Sequence, residues 1–280
     1  MKTVKVLGCQ MKVEKSKGEN LQKAEEMIAR GIKKYRPDIV ILPEMFNTPY
    51  DNSYFPEFSE SYPGESTLRI QSLAKSHGVI IVAGSIPEQV EGEKQLYNTT
   101  YVFGGRGELL GKHRKVHLFD INIPGKITFN ESDVLTPGEK ITVVETEFGK
   151  IGIAICYDVR FPEIFQIMEK EGARLVVVPG AFNTTTGPAH WKLLMRSRAL
   201  DNQIYVAAVS PARNPKASYQ AYGHSMIVDP WGRVLEELEE KEDFIYRELD
   251  FEYLNRVRQE LPTRKNRRKD LYATVNNNPD

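Results

Sequence analysis

Two ten-residue strings spaced 136 positions apart align without a gap. They are Pro37-Asp38-Ile39-Val40-Ile41-Leu42-Pro43-Glu44-Met45-Phe46 and Ala173-Arg174-Leu175-Val176-Val177-Val178-Pro179-Gly180-Ala181-Phe182. Each carries a continuous apolar run, the pattern of a strand covered on both faces. Each follows a stretch of helical period and leads through a second one to another apolar run, at 79–83 or 204–210. The expected fold is therefore α/β, with two pseudo-symmetric halves, two sheets packed face to face and helices outside.

The remaining periodicity fills in this plan. Strands are expected at 4–9, 141–145, 150–155 and 244–249, and hairpins at 97–103/108–114 and 225–229/234–238. The first hairpin turns at Gly104-Gly105-Arg106-Gly107, which no helix or Lys-Ser/Thr follows, so it is not a phosphate loop. Helices are expected at 21–34 with Asn20 as N-cap, at 67–77 stopped by Gly78, at 162–171 opened by Pro162, at 188–202 and at 252–259. Residues 116–140 read as a long irregular insertion, and long loops are more often functional than decorative. No linker-like tract breaks the chain, so residues 1–280 read as a single domain with a C-terminal tail from about 260.

Composition excludes several classes. Lys+Arg and Asp+Glu are both 38, so no global field draws the chain to nucleic acid or an anionic membrane. The basic run Arg264-Lys265-Asn266-Arg267-Arg268-Lys269 reads as solvated surface or a subunit contact, offset by acidic residues within 236–242. No run approaches the ~18 apolar residues of a membrane helix, and the first residues lack the apolar core of a signal peptide. Two cysteines in 280 residues cannot form a disulfide framework, which points to a reducing, cytoplasmic setting.

Three polar residues stand where apolar strands end: Glu44, Lys115 and Cys156. Strand carboxyl ends are where reactive groups collect in α/β sheets. A free thiol with pKa near ~8.5 is mostly protonated at neutral pH, so a nucleophilic cysteine needs a base or a nearby cation. Glu44 fits the base, and Lys115 fits a donor to an oxyanion. Spacing alone leaves open an inert core cysteine with an ordinary surface Glu and Lys. His113 and His117 are four apart, but they flank Lys115 on an extended segment without the glutamate of a zinc motif, so no metal is expected. Cys9 reads as a small buried hydrophobe.

The string Ile151-Gly152-Ile153-Ala154-Ile155-Cys156-Tyr157-Asp158-Val159-Arg160-Phe161-Pro162-Glu163 resembles the nucleophile segment of the carbon–nitrogen hydrolase (nitrilase) superfamily. Leu42-Pro43-Glu44-Met45-Phe46 resembles its glutamate segment, and Arg114-Lys115-Val116-His117-Leu118-Phe119-Asp120 its lysine segment, all in the family's order. The resemblance runs from about residue 4 to residue 272. Phe129-Asn130-Glu131-Ser132, the stretch 180–191, Ser210-Pro211-Ala212-Arg213, Lys216-Ala217-Ser218-Tyr219 and Tyr222-Gly223-His224-Ser225 look most like the ω-amidase branch.

The resemblance implies a four-layer αββα sandwich with Glu44, Lys115 and Cys156 as catalytic triad and Glu131 in support. It also implies an oxyanion contact from the Tyr157 backbone N–H, no cofactor or metal, and a homodimer. The implied activity is hydrolysis of the terminal amide of 2-oxoglutaramate or 2-oxosuccinamate through a thioester. The alternatives are an amidase for deaminated glutathione, an N-carbamoyl amine amidohydrolase, or a non-catalytic binding protein on the same fold. Loss of a triad residue would have marked the last, and all three are present. Arg160, four residues after Cys156, suits the bidentate grip of a substrate carboxylate, or else a structural pair with Asp158 or Glu163. Phe182, Thr185, Thr186 and Tyr50 are further expected substrate contacts.

Overall fold

The computed structural model describes residues 3–277. The first half alternates strands β1 (Thr3–Gln10), β2 (Ile39–Ile41) and β3 (Ile80–Val82) with helices α1 (Lys17–Tyr35), α2 (Phe55–Phe58) and α3 (Glu65–His77). It continues through β4 (Ile86–Gln89), β5 (Leu96–Phe103) and β6 (Leu109–Arg114). A separate hairpin, β7 (Asp120–Ile123) and β8 (Ile127–Asn130), links it to the second half. That half runs β9 (Thr142–Thr146), β10 (Gly149–Ile153), α4 (Pro162–Lys170), β11 (Leu175–Pro179), α5 (Gly187–Asn202), β12 (Tyr205–Val209), β13 (Met226–Val228) and β14 (Val234–Glu237). Strand β15 (Asp243–Asp250) and helices α6 (Phe251–Glu260) and α7 (Thr263–Asn266) follow.

The repeat read from the two apolar strings holds in the register of the sheets. β1, β2 and β3 run parallel, as do β10, β11 and β12. Ile39 pairs with Ile80, and its counterpart Leu175 pairs with Tyr205. Each half then adds an antiparallel hairpin, β5–β6 or β13–β14, with a register shift at Val102/Phe103 in one and Ile227/Val228 in the other. The two turns place Gly107 and Gly232 at φ 83° and 79°, the left-handed region that favours glycine. β15 returns to the first sheet as an antiparallel neighbour of β1.

Alternation along each strand builds the layers. Ile39 and Ile41 join Val4, Val6, Ile153 and Val177 in the core between the two sheets. Val40 and Leu42 face the other way, onto Leu21, Ile28, Ile70 and Ala74 of α1 and α3. Val176 and Val178 face Phe165, Met168, Trp191 and Met195 of α4 and α5. The result is helix, sheet, sheet, helix, the four-layer αββα sandwich expected. The run is apolar throughout because each strand is covered on both sides.

Two expectations are corrected. Helix α1 begins at Lys17 rather than 21, capped by Ser16, whose hydroxyl accepts from Glu19 N–H at 3.3 Å. Asn20 instead lies inside the helix, and its amide exchanges two hydrogen bonds with the Glu14 backbone at 2.7 and 2.9 Å. Its side chain competes for loop backbone rather than for the helix end. The segment 116–140 is not irregular: β7 and β8 pair from Asp120–Asn130 to Ile123–Ile127, and a 3-10 turn at Glu131–Asp133 follows. Both strands alternate in burial, and Gly125 turns between them at φ 73°.

Candidate active site

Glu44 lies just beyond the end of β2, where the Leu42 N–H still bonds to Val82. Lys115 directly follows β6, its backbone held at both ends: its N–H donates to Asn98 O and its carbonyl accepts from Gly138 N, each at 2.8 Å. Cys156 opens the 3-10 turn Cys156–Arg160 past β10, at φ 47°. Left-handed backbone in a residue with a Cβ is uncommon and points to a functional constraint.

These ends converge inside the molecule. The Lys115 ammonium, fully buried, donates to Glu44 Oε1 at 3.0 Å and reaches the Glu131 carboxylate at 2.8–2.9 Å. Glu44 Oε1 also accepts from Asn98 Nδ2 at 2.9 Å, and Oε2 accepts from Ala181 N–H at 2.7 Å. The Cys156 thiol is buried beside the cluster, where Glu44, Lys115 and Glu131 all act on its ionisation. Glu131 accepts from Tyr50 OH at 2.6 Å and from Phe119 N–H at 2.6 Å. The hairpin β7–β8 is therefore what delivers Glu131 to Lys115.

Burial sets the electrostatics. It raises the Glu44 carboxyl above its ordinary value; Lys115 opposes the rise and Glu131 adds to it. Burial alone would discharge Lys115, but Glu131 and Glu44 outweigh it and keep the ammonium charged. Burial, reinforced by Glu44, raises Cys156 well above the ordinary thiol value, so the resting sulfur is protonated beside its acceptor. Cys9 is also buried, its thiol pushed up to about 12, and it lies among the apolar residues between the first sheet and its helices.

A cavity of about 1000 Å³ opens onto Glu44, Tyr50, Ala181 and Tyr219, with Lys15 and Lys216 farther out on its wall. Tyr50 thus belongs both to the polar cluster and to the cavity. Arg160 sits outside that wall, its guanidinium 5.3 Å from the Tyr157 ring centre and 5.0 Å from that of Phe182. One of its terminal nitrogens lies 3.3 Å from His190 Nδ1, while its Nε is buried without a partner. It pairs with neither Asp158 nor Glu163. Thr185 and Thr186 also lie off the wall: both N–H groups donate to Asn183 Oδ1 at 2.9 Å, and the Thr186 hydroxyl joins them at 3.3 Å. Tyr157 follows Cys156 in the first turn of a helical segment, where backbone N–H groups lack intrahelical partners.

Sequence reasoning missed Asn98, Tyr219, Asp158 and both histidines. The available signals were a polar triplet, Asn98-Thr99-Thr100, on an otherwise apolar strand that proves fully buried, and two histidines spaced evenly around Lys115. His113 and His117 both reach Asp158.

A thiol, a carboxylate and an ammonium gathered at strand ends of a four-layer αββα sandwich describe a cysteine-dependent hydrolase of amide-type bonds. Residues 5–259 match the sequence profile of the carbon–nitrogen hydrolase family, and the chain belongs to that family. It is 54% identical over 257 residues to Omega-amidase NIT2 of Xenopus tropicalis, covering 92% of each chain. Against Omega-amidase NIT2 of Mus musculus it is 49% identical over 279 residues, the full length of both. Among solved structures, Saccharomyces cerevisiae Nit3, a member of branch 10 of the nitrilase superfamily, superposes with a TM-score of 0.89 at 44% identity, covering 95% of this chain and 97% of that one. The C. elegans NitFhit protein gives 0.88 at 34% identity, covering 99% of this chain and 68% of that one.

Proposed function

We propose that this carbon–nitrogen hydrolase is an ω-amidase, removing ammonia from the terminal amide of 2-oxoglutaramate or 2-oxosuccinamate. The observation that carries the chemistry is the buried bond of Lys115 to Glu44, with the buried Cys156 thiol under the electrostatic influence of both. The substrate class rests on the full-length likeness to relatives named Omega-amidase.

Glu44 takes the thiol proton as sulfur attacks the amide carbon and a C–S bond forms. Negative charge moves to the carbonyl oxygen, where the Lys115 ammonium and the Tyr157 N–H receive it. Glu44 returns the proton to the departing nitrogen, the C–N bond breaks, and ammonia leaves a thioester on Cys156. Glu44 then deprotonates water, which attacks the thioester carbon; the C–S bond breaks and sulfur regains its proton. Two lower barriers replace one. A carboxyl above its ordinary pKa is a better match to this shuttle at neutral pH. Glu131 holds Lys115 in place.

In the same reading Arg160 grips the distal carboxylate of the substrate, supported by its unpartnered Nε, with Phe182 as the apolar wall beneath it. Arg160→Lys then raises KM for acidic amides far more than for an uncharged amide, and equal losses on both would make Arg160 structural. Thr185 and Thr186 act through the loop that positions Phe182. The reading also takes residues 1–280 as a single domain and the protein as a cytoplasmic homodimer; sedimentation at micromolar concentration tests the dimer. Among the described residues no helix is long and apolar enough to cross a membrane.

Ammonia release from 2-oxoglutaramate, compared with deaminated glutathione and N-carbamoyl amines, is the test. Fastest release from 2-oxoglutaramate supports the assignment, and equal or faster release from either rival overturns it.

A further inference from the structure

Asp158 is fully buried and accepts four hydrogen bonds from two separate segments. Its Oδ2 accepts from Ile155 N–H at 2.9 Å and lies 3.3 Å from His113 Nε2. Its Oδ1 accepts from His117 N–H at 2.9 Å and lies 2.8 Å from His117 Nδ1. Ile155 immediately precedes Cys156, and the two histidines stand two residues either side of Lys115. One carboxylate thus joins the nucleophile turn to the lysine segment. The histidines are themselves braced: His113 Nδ1 is 3.0 Å from Thr142 Oγ1, and the His117 ring stacks on Phe161 at 3.6 Å between centres. Burial would raise the Asp158 carboxyl, but the hydrogen bonds from His113 and His117 hold it well below the usual carboxylate range. Cys156, at φ 47°, needs such support, because left-handed backbone persists only where the surroundings over-determine it.

We propose that Asp158, acting through His113 and His117, is a positioning residue that sets the Cys156 sulfur against the Lys115 ammonium, and thereby the geometry in which the oxyanion forms. The inference rests on Cys156 as nucleophile and Lys115 as oxyanion partner. It adds a second fixation to the one Glu131 supplies: Glu131 holds the ammonium, whereas Asp158 holds the two backbones apart at the right spacing. Misplacement of reacting groups by about 1 Å costs on the order of 10²-fold in rate without weakening ground-state binding.

The test is steady-state hydrolysis of 2-oxoglutaramate by Asp158→Asn, His117→Gln and His117→Leu, each assayed well below its own melting temperature with folding checked by circular dichroism. Asp158→Asn keeps the shape but replaces an acceptor oxygen with a donor. It is expected to lower kcat about 10²-fold with KM changed less than about twofold. His117→Gln retains an N–H for Asp158 and should keep roughly a third or more of wild-type kcat, whereas His117→Leu should fall with Asp158→Asn. Folded Asp158→Asn with kcat within about twofold of wild type, or equal kcat in the two His117 variants, overturns the proposal. If Asp158→Asn does not fold, the His117 pair decides alone. Wild-type enzyme that releases no ammonia, or Cys156→Ala that still does, would instead overturn the reading of the site itself.

Discussion

In the proposed mechanism Glu44 must be ionised to accept the thiol proton, yet burial and Glu131 both favour its neutral form while Lys115 resists them. The acid limb of kcat/KM should therefore lie above the ordinary Glu value of 4.5, with activity rising as pH increases through it. A limb at or below that value would remove Glu44 from the base role. Cys156→Ala should abolish turnover with the fold intact, and retention of even about a tenth of the activity would displace the nucleophile. Glu44 and Cys156 were legible as residues because each ends an apolar strand inside a specific local string, whereas Lys115, which follows the largely polar β6, was legible from its string alone. Asn98 was not, since an asparagine inside a strand carries no local mark of what it will meet. Its side chain donates to Glu44 and its carbonyl accepts from Lys115, two contacts separated in the chain by 54 and 17 positions.

At the scale of elements, the site depends on how closely strand ends approach. Gly180 is the counterpart of Glu44 in the second repeat, and a Cβ there would lie 3.0 Å from the Trp191 ring and 3.3 Å from the Cys156 Cα. Where one half presents Glu44, the other has no room for a side chain. Gly180→Ala should push the nucleophile turn aside and reduce kcat by an order of magnitude or more, with KM less affected. Strand β6, which leads into Lys115, is pinned by Glu88 of β4, which accepts from Lys112 at 2.9 Å, Arg114 at 2.8 Å and Thr99 at 2.7 Å. Burial opposes its ionisation, but Arg114, Lys112 and Thr99 bring its pKa down to about 2. A lowered carboxyl stabilises the fold above its unfolded value near 4.5 and loses that contribution as pH falls toward about 2. Glu88→Gln should cost about 2 kcal/mol at pH 7 and progressively less across that acid window. Urea unfolding at neutral pH and near pH 3 checks this, and a constant difference would contradict it. The hairpin β7–β8 teaches the complementary lesson: its alternation is short and half-exposed, so its strand pattern is weak beside the buried runs.

The whole molecule is a repeat whose two copies differ where chemistry demands it. Both halves keep three parallel strands, a bulged hairpin and a left-handed glycine at the turn, while Glu44 stands in one copy and Cys156 in the other. The basic tail is also partly internal. Arg264 pairs with Glu169, a fully buried carboxylate on α4 that otherwise has Arg258 at 3.7 Å, and Thr274 donates to Gln166 at 2.6 Å. Removing residues 261–280 should destabilise the protein by about 2 kcal/mol, because a buried carboxylate loses a cation. Glu169→Gln in the shortened chain should recover part of that loss in a thermal melt, and no recovery would assign the effect to lost packing instead.

Period by itself determined the internal repeat and the pairing of sheets with outer helices, because strands covered on both faces read as apolar runs; the four-layer αββα sandwich came from the family resemblance. Local strings pointed to Glu44, Lys115 and Cys156, because a strand end and a following turn are contiguous in the chain. Only the tertiary structure decided that Glu131 and Tyr50 would share Lys115, that Asp158 would bind both flanking histidines, and that Arg160 would lie between two aromatic rings. Apart from the local Arg160–Tyr157 contact, they join residues 16 to 81 positions apart, and their partners are selected by how two sheets and a hairpin pack. Polar groups buried together must satisfy one another, and which ones meet depends on the packing rather than on any one segment.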